Sequence, residues 1–143
     1  MDLNKFTQKA QQAILESQRL ASDLSHQTLE PAHLLLALIK QDEGVVPAII
    51  TKVAGSLVAL REEIQTELDE KPKIYGGNTG QPGMSQQTSS VITAAERYAK
   101  GMSDEYVSTE HLLLGLTESP EGKRLSSYGL TKDAILKALK ELR

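Results

Sequence analysis

Two histidines, His33 and His111, stand 78 residues apart (111 − 33) in similar settings, Glu30-Pro31-Ala32-His33-Leu34-Leu35-Leu36 and Ser108-Thr109-Glu110-His111-Leu112-Leu113-Leu114. Imidazoles bind zinc, relay protons and act as general bases near neutral pH. A helical zinc site needs a second ligand about one turn away, as in His-Glu-x-x-His, and neither histidine has a His or Cys at that spacing. We therefore expect one ring nitrogen of each to be satisfied by a backbone or carboxylate partner at a helix start, with no metal. Ser85, Ser89, Ser90, Ser126 and Ser127 offer hydroxyls, but no His and acid arrangement to activate one is legible in the chain. A Gly-x-Ser-x-Gly elbow, a P-loop, a dinucleotide fingerprint and a calcium loop are all missing. No catalytic residue and no cofactor of its own is expected of this chain.

One polar cluster distinguishes the two settings. Asp104, Glu105 and Glu110 flank the second histidine where the first half has His26, Gln27 and Ala32. Two readings fit. Acids near a helix start stabilise its dipole by about 0.3–1 kcal/mol each. Alternatively the halves diverged here into a one-sided acidic rim beside an apolar groove, suited to polypeptide.

The elements that must carry these residues follow from a duplication. At the 78-residue offset, residues 7–38 align with 85–116 without a gap and with ten identities, among them Ile14/Ile92, Arg19/Arg97, Ser25/Ser103 and His33/His111. Repeats of this kind bury one another's apolar faces. Over residues 5–24, Phe6, Ala10, Ala13, Ser17, Leu20 and Leu24 recur at steps of three and four, which predicts an amphipathic helix. Pro31 suits the first position of a second helix, apolar almost all round and hence central. A third helix is predicted over 45–53 with Gly55 as its left-handed stop, and a fourth from Leu57 to about Glu70, with Ser56 as cap and Leu57, Leu60, Ile64 and Leu68 inward. The acidic run Glu62, Glu63, Glu67, Asp69 and Glu70 reads as its solvated face.

The second half repeats the plan. Ser85 caps a helix to about Lys100, Ser108 caps the central helix 109–117, a short piece contains Leu125 and Tyr128, and Thr131 caps a last helix with Ile135, Ala138, Leu139 and Leu142 inward. No stretch alternates with period two, so no strand is expected. Residues 71–84 hold four Gly and two Pro and read as a connector. A phosphate cradle there lacks the Gly-Lys-Ser/Thr that would complete it. The predicted fold is all-α: two pseudo-symmetric four-helix repeats, 1–70 and 85–143, in a single domain spanning 1–143.

Composition narrows the partners. With no cysteine, disulfides and thiolate metal sites are excluded. Sixteen Lys plus Arg against 19 Asp plus Glu, with signs interspersed and only five aromatics, form neither a phosphate-tracking face nor a base-stacking platform. The longest apolar run, Leu34–Ile39, falls far short of the roughly 20 residues that span a bilayer. Nucleic acid and membrane are not expected partners, and a cytoplasmic location is expected.

Leu3-Asn4-Lys5-Phe6-Thr7, the paired histidine segments, Gly44-Val45-Val46-Pro47, Asp104-Glu105-Tyr106-Val107 and Gly129-Leu130-Thr131, taken in order, resemble the N-terminal domain of the Clp family of AAA+ chaperones. The resemblance covers essentially the whole chain and is strongest to the disaggregase branch, ClpB, through Glu30-Pro31. It implies an eight-helix domain tethered to a homohexameric threading ring. ATP and magnesium belong to ATPase domains elsewhere in the parent chain, and unfolded or aggregated proteins are the partners, with a co-chaperone system as a further candidate. Family positions implicated in engagement fall on Thr7, Asp104 and Glu110, with Ile92 and Tyr98 as candidates for the apolar groove, although core packing suits each of these two taken singly. The alternative implied by the protease-linked branch, ClpC, is an adaptor-docking domain.

Overall fold

The computed structural model describes residues 2–73 and 82–143. Among them are a 3-10 turn at Leu3–Lys5, eight α-helices and two very short strands. The first half contains α1 (Gln8–Asp23), β1 (Thr28–Leu29), α2 (Pro31–Ile39), α3 (Val45–Ala54) and α4 (Val58–Glu70). The second contains β2 (Gly83–Met84), α5 (Gln86–Gly101), α6 (Thr109–Leu116), α7 (Gly122–Ser127) and α8 (Lys132–Leu142). The all-α fold of eight helices is as expected.

The repeat survives in geometric detail. Thr7 and Ser85 cap α1 and α5 by accepting from the N–H three residues on, Ala10 and Thr88. Two residues past the end of each of these helices stands a serine with positive φ, Ser25 at 58° and Ser103 at 59°, whose successor donates back five residues, to the Ala21 and Ala99 carbonyls. Short polar side chains tolerate that left-handed turn. α1 lies along α2 and α5 along α6, and the two central helices also touch. All nine residues of α2 and all eight of α6 are buried.

Several expectations are corrected. Phe6 is not in a helix; it is extended, buried and bridged to Val107, and the helix starts only after Thr7. Strands do exist: β1 pairs in parallel with β2, Leu29 opposite Met84, so the end of the connector is ordered as strand. Two residues are too few to show an alternation, which is why period-two scanning misses them. The phosphate-cradle reading falls largely on residues 74–81, outside the described residues. Leu57 precedes α4 as its N-cap residue and is half-buried, while Ser56 accepts from the Val58 N–H. Leu142 is exposed, at 46%.

The two short pairings are copies of one another. Adding 78 to Leu29 gives Val107, and subtracting 78 from Met84 gives Phe6. The lead-in segment of each repeat therefore lies against the other repeat. The equivalent bonds Thr7 N–H to the Val107 carbonyl (2.9 Å) and Ser85 N–H to the Leu29 carbonyl (3.1 Å) close each clasp.

Gly115 replaces the Ala37 of the first repeat. A Cβ there would lie 2.6 Å from the Val91 carbonyl oxygen of α5, so only glycine lets α5 and α6 approach this closely. Gly115→Ala is expected to lower stability in a urea melt: overpacking of about 1–3 kcal/mol outweighs the gain of ~1 kcal/mol in helix propensity. Unchanged or raised stability would contradict the close-packing account.

Candidate functional site

The buried start of α6 sets the geometry of the acidic cluster. The first N–H groups of any helix lack intrahelical partners, and water cannot serve them here. Ser108 takes an extended backbone, and its Oγ accepts from the His111 N–H while His111 Nδ1 accepts from the Ser108 N–H at 2.9 Å. This is a capping box with histidine in place of the usual Glu or Gln. Because Nδ1 is an acceptor, the neutral ring carries its proton on Nε2, which donates to Asp104 Oδ2 at 2.8 Å. His111 is fully buried.

Asp104 and Glu110 converge on one cation. Arg143 Nη2 donates to Asp104 Oδ2 and to Glu110 Oε2, both at 2.9 Å. Burial raises the Asp104 carboxyl, but hydrogen bonds from Arg143 and His111 outweigh it and hold the group below its ordinary value. Glu110 is likewise raised by burial and brought below its ordinary value by Ser108 and Arg143. Both stay ionised through the neutral range. The stability they contribute is present above the ordinary carboxylate range and is lost only as pH falls through the lowered values.

The structure brings three of the five sequence-predicted residues together. Thr7 binds the Val107 carbonyl through its N–H, and Val107 lies between Asp104 and Glu110 in the same short segment. Ile92 and Tyr98 are elsewhere in burial terms: they are 6% and 8% exposed and belong to the core. The Tyr98 hydroxyl donates to Glu118 Oε2 at 2.5 Å, beyond the far end of α6, and the Arg97 and Lys132 cations lie over its ring. Exposed apolar residues adjacent in sequence to the cluster are instead Tyr106, 50% exposed, and Leu142, which precedes Arg143. Sequence reading missed Arg143 because its partner acids lie 39 and 33 residues away.

A serine, a histidine and an acid do line up, at a serine outside those considered from sequence: Ser108 Oγ is 3.0 Å from His111 Nδ1, and Asp104 holds Nε2. Their roles differ from those of a nucleophilic triad. The single lone pair of Nδ1 accepts the Ser108 backbone N–H, and Oγ accepts the His111 N–H, so the base and the nucleophile are both engaged in capping.

The first repeat builds the same box differently. The Glu30 side chain accepts from the His33 N–H, and His33 Nδ1 accepts from the Glu30 N–H at 2.9 Å. His33 Nε2 lies 2.8 Å from His26 Nδ1, where the second repeat has Asp104. The expected partner at each helix start is present, and the second ring nitrogen is engaged as well.

Residues 5–127 match the family model described as the Clp repeat (R) N-terminal domain. The chain belongs to this family. Among Clp relatives, the chaperone protein ClpB of Clostridium tetani is 36% identical over all of this chain, and that of Pseudomonas putida is also 36% identical. The chain spans 17% of the length of each. Solved Clp-type structures agree in fold. The N-terminal domain of Hsp104 from Candida albicans has a TM-score of 0.81 at 25% identity, covering 97% of this chain and 91% of that one. The N-terminal domain of ClpD from Arabidopsis thaliana has a TM-score of 0.73 at 27% identity, covering 98% and 97%. This is a ClpB-like Clp N domain. Among the described residues, no helix is long and apolar enough to cross a membrane.

Within this Clp N domain, Asp104→Ala is expected to destabilise by about 1–2 kcal/mol, because the buried His111 Nε2–H loses its acceptor. Asp104→Asn, whose amide oxygen still accepts, should cost less. Equal losses in urea melts of the two variants would show that the hydrogen bond to His111 is not the source.

Proposed function

We propose that this chain is the substrate-engaging N-terminal domain of a ClpB-like disaggregase, which takes hold of unfolded or aggregated polypeptide and passes it to a homohexameric AAA+ ring. The observation that supports this reading best is the Asp104 and Glu110 pair, which already seats a guanidinium, with the exposed Tyr106 between the two acids in sequence and the exposed Leu142 next to Arg143 in sequence. Ionised carboxylates next to exposed apolar side chains suit extended chain that carries basic and apolar residues. Thr7 fixes the backbone of this segment through Val107. Ile92 and Tyr98 contribute as core packing of the helix pair α5 and α6. Affinity is modest, because ordering a disordered chain opposes the gain. ATP and magnesium act in the ATPase domains of the parent chain, and a co-chaperone system is a further partner of the assembled ring.

A second reading, a platform for a folded adaptor, is favoured by the likeness to the ClpD domain, whose parent is named a caseinolytic protease associated chaperone. A tight, stoichiometric complex with one folded protein would favour it over the first.

The test is an NMR titration of the labelled chain with a soluble unfolded polypeptide. Amide shifts are expected around Thr7, Asp104, Tyr106 and Glu110. The double variant Asp104→Asn with Glu110→Gln, which keeps side-chain shape, should weaken binding about tenfold, equivalent to ~1.4 kcal/mol. Undiminished binding by the double variant would sink the acidic-rim reading.

A further inference from the structure

We propose that the first repeat carries a proton-operated latch, the buried His26–His33 pair, which ties the α1–α2 turn to the start of α2 and releases it on acidification.

The latch follows from counting protons. The Glu30 N–H is an obligate donor, so His33 Nδ1 is an acceptor and the His33 proton sits on Nε2. That proton is donated to His26 Nδ1, 2.8 Å away, which places the His26 proton on Nε2. Two neutral rings thus hold two protons in one unbroken direction. A third has two nitrogens available, His33 Nδ1 and His26 Nδ1, and each already faces a donor hydrogen. It enters only by breaking the Glu30 bond or the bond between the rings. His33 is fully buried and His26 is 8% exposed, so the added charge is also poorly solvated.

The charges around the pair reinforce this. From the end of α4 and the residues after it, Lys71 and Lys73 face the pair as cations and Asp69 as an anion. The Leu68 carbonyl favours a proton on His26, although Nε2 makes no hydrogen bond of standard geometry. Glu30 stands on the α2 side with its carboxylate engaged by the His33 N–H, and Gln27 and Thr28 of the preceding turn are uncharged. Burial, then the neighbouring His26, then Lys71 push His33 down to about 4. Burial and the two lysines lower His26 as well. A cavity of about 210 Å³ is bordered by His26, Glu30, His33 and Lys71.

The sign is therefore fixed. A histidine lowered by folding contributes stability that is present above its unfolded value, near 6.5, and is lost as pH falls from there toward about 4. The second repeat lacks the latch, because Asp104 gives His111 a carboxylate acceptor in the equivalent place.

The test compares the wild-type chain with His26→Asp, which copies that second-repeat arrangement. In urea melts at pH 7 and pH 5, the folded-to-unfolded ratio of wild type should fall about twentyfold more than that of His26→Asp. In NMR titrations of wild type, the His33 ring should titrate well below 6.5. Amides of residues 24–34 and 66–72 should shift or broaden over that range, ahead of those of 102–112. Equal acid sensitivity of the two proteins, a His33 ring titrating near 6.5, or changes shared evenly by both repeats would each overturn the latch.

Discussion

The constraint on which this fold depends is the burial of two helix beginnings. α2 and α6 are enclosed on every side, so their unpaired N–H groups cannot turn to water and must be satisfied from within. Histidine at the third helical position solves this economically. One ring nitrogen returns to the residue before the helix, and the other reaches the turn that ends the preceding helix. The same ring thereby fixes the helix start and the angle between neighbouring helices. Leucine stripes supply most of the apolar area, but these polar caps decide how the stripes meet.

A symmetric frame makes its asymmetries informative. Over the aligned stretch, helix ends, turns and clasps agree between the repeats, yet Asp104 stands where the first repeat has His26, and Glu110 where it has Ala32. A carboxylate at the first place keeps a histidine-bonded turn and adds negative charge. A second carboxylate at the next place lets the two share Arg143. The change from the first repeat to the second therefore replaces a histidine pair at the helix start with two carboxylates that share an arginine, on the same local backbone plan.

Most of the helical plan was legible because it rests on local signals. Ser85, Ser108 and Thr131 cap where their types and places suggest, Gly55 adopts its positive φ, and the apolar period marks Ala10, Ile14, Val91 and Ala95 as core. The misses are non-local. Phe6 fits the helical period of α1 but is drawn into extended pairing with Val107, a partner that local pattern does not reveal. Leu142 continues the inward stripe of α8 by period alone, but the stripe runs past the body it packs against. Tyr98 carries both an apolar ring and a hydroxyl, and only the position of Glu118 shows which way each points. Within the candidate site, the acids were legible from the comparison of repeats, whereas their shared cation was not.

The exchanged lead-in segments bear on how this domain emerges during synthesis. The pairing of Leu29 with Met84 spans 55 residues (84 − 29), and that of Phe6 with Val107 spans 101 (107 − 6). A nascent chain that has exposed only its first half lacks both partners and leaves the mostly apolar α2 with part of its cover missing. Long closures of this kind slow folding and prolong the exposure of sticky intermediates. The Phe6–Val107 clasp closes the longer of the two loops, so the domain matures as a whole and late.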